Sequence, residues 1–242
     1  MAYELHYWPT IQGRGEFVRL ALEAAGAPYT DVARHAEDSA DGESALLQML
    51  QDDAQPHPPF APPFLKDGPL VVGQTAAILL YLAPTLKLVA RSEQARIWTH
   101  QIQLTIADVV SEAHDTHHPV GTGLYYEDQK PEALRNARAF CAVRIPKYLH
   151  WFGRIVARNP AGPRHLVGGR LSYADLSLFQ LIEGLRYAFP KASDKTLAGT
   201  PAIVALHDRV AALPKVAAYL RSDRRLPFNE QGIFRRYPEL DL

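Results

Sequence analysis

The sequence predicts a small α/β domain followed by an all-α domain. Strand patterns alternate with helix patterns over residues 1–84, whereas from about Ser92 the strand patterns stop and only helical periods remain. The composition, with 47% hydrophobic and 21% charged residues, is that of an ordinary globular protein. We therefore expect two domains, residues 1–84 and residues 92–242.

The first half of the α/β domain has the pattern strand, helix, strand. Residues 3–7 alternate apolar and polar side chains, which predicts a half-buried strand. A helix follows, with apolar residues from Phe17 at helical spacing and Gly26 placed to end it. Tyr29–Val32 is a second strand, and the only further element we predict before residue 60 is a short helix near Leu46–Leu50.

The second half has the pattern strand, strand, helix. Phe64-Leu65 and Leu70–Val72 flank an Asp67-Gly68 dipeptide that is typical of a hairpin turn. A helix then begins, with Thr75 as its N-cap, and Pro84 is expected to end it.

The remaining chain is predicted to be helical. The expected helices, each marked by a cap or by an early proline, are Ser92–Pro119, Pro131–Asn159 with a kink or break at Pro146, a helix after the Ser172–Asp175 capping box, Pro201–Leu213 and Pro214–Arg221. The tail, residues 222–242, is interpreted as a wrapping segment whose arginine pairs are solvated.

Charge and cysteine content exclude several classes of protein. The chain has 26 basic and 26 acidic residues, so it lacks the positive field that nucleic-acid binding requires. Cys141 is the only cysteine, which excludes an internal disulfide and a dithiol redox pair. The N-terminus has no signal-peptide pattern, and the longest apolar run, Ala76–Ala83, is far shorter than a membrane span. We expect a cytoplasmic protein with neither a nucleic acid nor a membrane as partner.

Four motifs, in this order and spacing, resemble those of the glutathione transferases. They are Leu5–Trp8 followed by Gly13–Glu16, Ala61–Gly68 followed by Gly73–Leu82, Leu166–Leu176, and Leu213–Leu220. The resemblance spans residues 1–220, and the tyrosine before an Arg-Gly loop is similar to the tyrosine-dependent classes of that family.

The resemblance implies a fold and an activity. Residues 1–84 would form a thioredoxin-like domain that binds glutathione as co-substrate, and residues 92–242 an all-helical domain that binds a small electrophile. A homodimer that conjugates the two is expected. Two alternatives stay open: a non-catalytic binding or structural module of the same fold, and a glutathione-dependent isomerase or peroxidase.

Tyr7 is the expected catalytic residue. From the strand pattern alone, Tyr7 is a half-buried packing residue, whereas the resemblance implies that its hydroxyl donates to the glutathione sulfur. An ordinary thiol has a pKa of about 8.5, and lowering it by two units requires about 2.7 kcal/mol. One charge-assisted hydrogen bond supplies roughly 1.5–3 kcal/mol. Thr10 stays open as an alternative hydroxyl donor.

The resemblance also implies the glutathione-binding residues Arg14, Pro62, Gln74 and Thr75. Thr75 can cap its helix and also bind the γ-glutamyl carboxylate there, because a helix N-terminus attracts anions. Pro63 is expected to be trans from sequence statistics, but the resemblance implies a cis bond after Pro62.

Three histidines form the most unusual local pattern. His114, His117 and His118 share one face of the predicted helix, a spacing that could ligate zinc. No cysteine or separate ligand set accompanies them, so we favour a polar helix end and predict no metal.

Overall fold

A computed structural model describes residues 2–35 and 39–242 of the chain. It divides into two compact units. The first unit comprises residues 1–88 and 213–227, and the second unit comprises residues 89–212 and 228–242. Residues 213–227, which the sequence analysis assigns to the helical domain, thus group with the first unit.

The four strands are short and form one mixed sheet. They are β1 (Tyr3–His6), β2 (Tyr29–Asp31), β3 (Phe64–Asp67) and β4 (Leu70–Gly73). Their order is β2-β1-β3-β4, with β1 parallel to β2 and antiparallel to β3, and with β3 antiparallel to β4. Each lies within about two residues of its predicted position.

The helices are α1 (Gly15–Ala25), α2 (Val32–His35), α3 (Ser39–Leu50), α4 (Thr75–Leu86), α5 (Glu93–Asp115), α6 (Lys130–Ala139), α7 (Ile145–Ala157), α8 (Tyr173–Ala188), α9 (Pro190–Leu197), α10 (Pro201–Ala211) and α11 (Pro214–Leu220). The sequence analysis missed α2 and α9 and predicted only the end of α3. Within the part of the chain that the structure describes, no helix combines the length and the hydropathy that a membrane span requires.

The core of the first unit lies between the sheet and two of its helices. Leu5 on β1 and Leu65 on β3 pack with Val18 on α1 and Ile78 on α4, and all four are fully buried. The apolar residues that alternate along the strands therefore pack against those at helical spacing along α1.

Two predictions about α4 are wrong. Thr75 is its first helical residue, and the N-cap is Gln74, whose side chain makes no capping hydrogen bond. Pro84 lies inside the helix, which continues to Leu86. A proline lacks the backbone N–H but keeps its carbonyl. The last turn of α4 therefore still forms, with the Pro84 carbonyl accepting from the Lys87 amide at 3.3 Å.

The second unit is built around α8, which is buried along most of its length and contacts α5, α9 and α10. Its start confirms the predicted capping box: the Ser172 amide donates to the Asp175 carboxylate at 2.7 Å, and the Asp175 amide donates to the Ser172 hydroxyl at 3.4 Å.

The structure changes one predicted helix bound in this unit and shows how the helix around Pro146 is interrupted. Helix α5 ends at Asp115 rather than at Pro119, because the Thr116 hydroxyl donates to the Ala113 carbonyl at 2.7 Å and closes the last turn. Pro146 lies in the first turn of α7, where its missing N–H costs little. A π-helical segment, Phe140–Arg144, separates α6 from α7 and interrupts the predicted helix Pro131–Asn159 directly before α7.

The tail is divided between the two units, each part contacting its own unit, and its first arginine pair is not merely solvated as predicted. Arg225 forms an ion pair with Glu16 on α1, and its side chain is only 9% exposed. Arg224 forms a bidentate pair with Glu23, at 2.9 and 3.0 Å, on the same helix. In the second unit, the Asp241 carboxylate accepts from the Lys191 and Ala192 amides at the start of α9.

Candidate functional site

Tyr7 follows β1 directly and is 4% exposed. Its hydroxyl oxygen accepts a hydrogen bond from the Arg14 amide at 2.9 Å. Arg14 is the N-cap of α1, so this amide is one of the donors that a helix start leaves without a partner inside the helix. Because the hydroxyl accepts here, its own proton can be donated to another group.

Two glycines let the backbone of this loop approach the Tyr7 ring. A Cβ atom at Gly13 would lie 2.0 Å from the Tyr7 hydroxyl, and one at Gly15 would lie 2.5 Å from Cδ1 of the ring. Gly13 also has φ of +44°, which L side chains rarely adopt. The Gly-Arg-Gly sequence therefore serves to hold the phenol against the start of α1.

The phenol of Tyr7 stays protonated at neutral pH. Burial raises its pKa above the ordinary value, and the hydrogen bond from the Arg14 amide and the charges of Arg14 and Arg19 offset this only in part. A protonated phenol donates a hydrogen bond and does not act as a base.

The backbone of Arg14 connects Tyr7 to the start of α4. Its amide donates to the Tyr7 hydroxyl at 2.9 Å, and its carbonyl accepts from the Thr75 hydroxyl at 3.4 Å. Thr75 is the first residue of α4, where backbone amides point outward and attract anions. Three of the predicted site residues, Tyr7, Arg14 and Thr75, are thus joined by hydrogen bonds.

The strand register brings the other two predicted residues to the same end of the sheet. His6 pairs with Phe64, and Phe64 pairs with Gly73. Tyr7, Pro63 and Gln74 extend from these three paired residues at one edge. The bond between Pro62 and Pro63 is cis, as the resemblance implies, and Pro62 is half-buried.

Gln74 has a rare backbone conformation, with φ of 62° and ψ of 118°, and its side chain is exposed. Non-glycine residues in such regions cost on the order of 1–3 kcal/mol and concentrate at functional sites. The conformation turns the chain from β4 directly into α4, which exposes the first amides of that helix.

Thr10, the alternative donor, differs from Tyr7 in its surroundings. Thr10 is exposed, whereas Tyr7 is buried against the N-terminal amides of α1. Gln12, in the same loop, is buried and donates to the Leu226 carbonyl at 2.5 Å, so its amide anchors the tail segment of the first unit.

A buried network of charges, which the sequence analysis missed, lies behind Tyr7. We call its members, Glu16, Arg19, Asp31, Tyr219 and Arg225, the Arg19 network. Arg19 is fully buried and donates through Nε to the Asp31 carboxylate at 2.6 Å. Its guanidinium carbon lies 5.7 Å from the centroid of the Tyr7 ring.

Glu16 is the second centre of this network and is also fully buried. It lies 3.5 Å from the Arg19 guanidinium, accepts from the Tyr219 hydroxyl at 2.8 Å and pairs with Arg225. The signal in the sequence was two charged residues, three apart, among the apolar residues of α1. The network fixes α1, whose first amides contact Tyr7.

The three histidines lie together in the second unit, but not as the predicted polar helix end. His114 is in the last turn of α5, whereas His117 and His118 follow the helix. His117 is 1% exposed, and burial lowers its pKa to about 3. These rings are the only group of metal-ligating side chains found among residues 2–35 and 39–242.

Both a family model and individual relatives with sequence similarity to this chain are named glutathione S-transferases. A family model described as "Glutathione S-transferase, C-terminal domain" matches residues 114–223. The chain is 26% identical over 226 residues to glutathione S-transferase P 1 of Xenopus laevis, which covers 92% of this chain and 93% of that protein. It is also 26% identical over 231 residues to glutathione S-transferase Mu 6 of Mus musculus, which covers 94% of each.

The fold is also that of known structures. The Pi-class glutathione S-transferase of Onchocerca volvulus superposes with a TM-score of 0.72 at 23% identity, covering 96% of this chain and 99% of that chain. The predicted fold class, a thioredoxin-like N-terminal part followed by an all-α part, is confirmed by this likeness.

Proposed function

The chain belongs to the glutathione S-transferase family, and from this premise we propose that it conjugates glutathione to a small electrophile. In this proposal the Tyr7 hydroxyl donates a hydrogen bond to the sulfur of bound glutathione and stabilises its thiolate. The thiolate, and not the thiol, is the nucleophile. It attacks the electrophilic carbon and a C–S bond forms. In a substitution the leaving group departs from that carbon with the bonding electron pair, whereas in an addition the π electron pair moves onto the electrophile, which then takes up a proton.

The observation that carries the proposal is the hydrogen bond from the Arg14 amide to the Tyr7 hydroxyl, at 2.9 Å. An oxygen that accepts from an amide becomes a better donor through its own proton, since hydrogen bonds in a chain polarise one another. Lowering the thiol pKa by two units requires about 2.7 kcal/mol. A hydrogen bond to a charged group supplies roughly 1.5–3 kcal/mol, so one phenol is sufficient.

We assign the remaining predicted residues to the peptide part of glutathione. The amides at the start of α4 and the Thr75 hydroxyl would bind the γ-glutamyl carboxylate. Gln74, exposed beside them, would bind the polar groups of the same residue, and Arg14 would bind a carboxylate. Pro62, which has a carbonyl but no N–H, would accept from the cysteinyl amide as an added strand does.

Three finer assignments belong to the proposal. The helical residues 92–242 would supply the electrophile site, the protein would act as a homodimer, and it would act in the cytoplasm. Family membership supports the first two, since relatives that match nearly the whole chain are named glutathione S-transferases.

The decisive experiment replaces Tyr7 by phenylalanine. We expect Tyr7→Phe to raise the pKa of the enzyme-bound glutathione thiol by about two units, from about 6.5 to about 8.5, and to lower kcat/KM toward a model electrophile by about 25-fold at pH 7, as the thiolate fraction falls. Glutathione affinity should change little, because the hydroxyl contributes mainly to the charged form of the sulfur. The pH dependence of kcat/KM measures the pKa.

Tyr81→Phe is the matched control. Tyr81 lies on α4 in the same unit, is partly exposed and donates to Asp67 at 2.7 Å. Its loss should leave the pH profile unchanged. An unchanged profile in Tyr7→Phe as well removes Tyr7 from the mechanism, and Thr10→Val then tests the alternative donor.

Retention on immobilised glutathione separates the proposed enzyme from a non-catalytic module. A protein that is neither retained nor active supports the module, and a protein that is retained supports the glutathione site. Assays with a peroxide and with an isomerisable substrate then determine whether the same thiolate reduces or isomerises, rather than conjugates.

A further inference from the structure

Three imidazoles converge where α5 ends in the second unit, and we call His114, His117 and His118 the histidine cluster. One ring nitrogen of each lies within 4.8 Å of those of the other two. The ring centroids are 4.7 to 4.9 Å apart. The cluster is therefore tripodal, with two rings contributed by the chain just after the helix and one by its last turn.

The hydrogen bond of His117 fixes which nitrogen faces the cluster. Its Nε2 lies 2.8 Å from the Ile233 carbonyl oxygen, which can only accept, so Nε2 carries the proton. The ring is 1% exposed, and with Nε2 as the donor to the carbonyl, Nδ1 is the nitrogen that faces the cluster. Metal-bound histidines in proteins are characteristically oriented in this way, with the second ring nitrogen donating to a carbonyl or a carboxylate.

The neighbouring rings provide the other ligand atoms. Nδ1 of His118 lies 2.5 Å from Nδ1 of His117, so two ring nitrogens face each other directly. His114 stacks on His118 at an interplanar angle of 19°, and its Nδ1 lies 3.6 Å from the Asp115 carboxylate. Asp115 thus supplies a negative charge beside the cluster.

We propose that the histidine cluster is a binding site for one divalent first-row transition ion, with zinc as its reference ligand. Imidazole is the ligand type that suits Zn²⁺, and sites with three histidines keep a fourth position for water. At a Zn–N distance of 2.0–2.1 Å, tetrahedral geometry places ligand atoms roughly 3.3 Å apart. The cluster reaches this spacing if the His117–His118 pair opens by about 0.8 Å from 2.5 Å, and if the other ligand atoms, which lie within 4.8 Å of one another, approach by at most about 1.5 Å.

Arg235 limits the affinity of the site. Its positive charge acts on His117 and on His118, and its guanidinium donates to the Gly232 carbonyl at 2.8 Å and to the Gln231 carbonyl at 3.3 Å. A fixed positive charge disfavours a cation nearby. The tail that carries Ile233, which orients His117, thus also carries the group that opposes the metal.

The test is a titration of the tag-free, metal-stripped full chain with Zn²⁺, followed by calorimetry, and with Co²⁺, followed by visible absorption. We expect one ion per chain and the ligand-field bands of Co²⁺ bound to nitrogen. His114→Gln and His118→Gln should each lower the affinity at least about tenfold, since even loss of a partner that orients a ligand costs 10- to 100-fold.

Two further variants make the result specific. His150→Gln removes an exposed histidine elsewhere in the same unit, on α7, and should leave zinc affinity unchanged. Arg235→Gln should increase it by relieving repulsion. Binding that is not saturable, or binding that His114→Gln and His118→Gln leave intact, overturns the proposal. Urea unfolding of each metal-free variant, which does not depend on glutathione binding, shows that it is folded.

Discussion

The Arg19 network and the histidine cluster, two polar clusters of the molecule, differ in the groups that face their charged or ring atoms. In the Arg19 network of the first unit, every charge faces an opposite charge: Arg19 faces Asp31 and Glu16, and Glu16 faces Arg225. In the histidine cluster of the second unit, three rings face one another, and His117 contacts a backbone carbonyl and the His118 ring. Opposite charges in contact balance one another and position their surroundings, whereas ring nitrogens that face one another are ligand atoms suited to a cation.

The two clusters also differ in the groups that they hold in place. The Arg19 network lies against the ring of Tyr7 and holds the helix whose first amide contacts the Tyr7 hydroxyl. It thereby fixes a hydrogen-bond donor without touching the reacting atoms. The histidine cluster positions no such donor, and its chemistry is limited to what its own nitrogens bind.

The largest expected effect comes from breaking the Arg19 network. Arg19→Met keeps most of the side-chain volume but leaves the buried carboxylates of Asp31 and Glu16 with one cation fewer. Removing one partner of a buried ion pair typically costs about 3–5 kcal/mol. The free energy of unfolding, measured by urea denaturation, should fall by that amount.

Arg224→Met is the control for this prediction. Arg224 also pairs with a glutamate of α1, but its side chain is 56% exposed. An exposed pair contributes about 0–1 kcal/mol. Equal losses in the two variants would show that burial does not distinguish the Arg19 network from a surface pair.

A second variant tests whether the backbone, and not only the network, holds the Tyr7 ring. Gly15→Ala places a Cβ 2.5 Å from Cδ1 of that ring, and Gly15 has an ordinary helical backbone, so the steric clash is the only change. Overpacking of this kind costs about 1–3 kcal/mol. We expect kcat/KM to fall and its pH profile to shift in the same direction as in Tyr7→Phe.

Gly123→Ala is the matched control, because a Cβ there meets nothing within 4 Å. It should change neither stability nor the pH profile by a measurable amount. If Gly15→Ala retains the profile of the original protein, the position of the Tyr7 ring does not depend on contact with this loop.

Much of the first unit could be predicted because local periodicity and burial agree there. Leu5 and Leu65 each lie at an apolar position in an alternating strand pattern, and Val18 and Leu22 lie one helical turn apart on α1. Each pattern therefore predicts the face of its strand or helix that the core buries. The site roles of Tyr7, Arg14 and Thr75 are implied by the resemblance to a family, since the strand and helix patterns alone predict a packing residue at Tyr7 and a helix cap at Thr75.

The remaining features depend on partners that are distant in sequence. Arg19 looks like a solvated helix residue until Asp31 and Glu16 are known to enclose it. His117 looks like a polar helix end, and its burial depends on Ile233, which lies 116 residues later. No local pattern contains such a partner, and tertiary contacts override the local preference at both positions.

The smallest expected effect comes from a half-buried version of the same ion-pair chemistry in the second unit. Glu112 on α5 accepts from Arg144 at 2.6 and 2.7 Å and from the Tyr148 hydroxyl at 2.6 Å. The hydrogen bonds from Arg144 hold the pKa of Glu112 below its ordinary value. A depressed folded-state pKa means that the unfolded chain binds more protons as the pH falls toward that value.

The contribution of Glu112 to stability is therefore present above the pKa of the unfolded chain, about 4.3, and disappears as the pH falls through the lower folded-state pKa. We expect Glu112→Gln to cost about 0.5 kcal/mol at pH 7 and nothing at strongly acidic pH. Urea unfolding of Glu112→Gln, Arg144→Met and the double variant at both pH values isolates the pair. A coupling at pH 7 as large as the loss in Arg19→Met would mean that exposure does not weaken this pair, and the contrast between buried and exposed charges in this molecule would not hold.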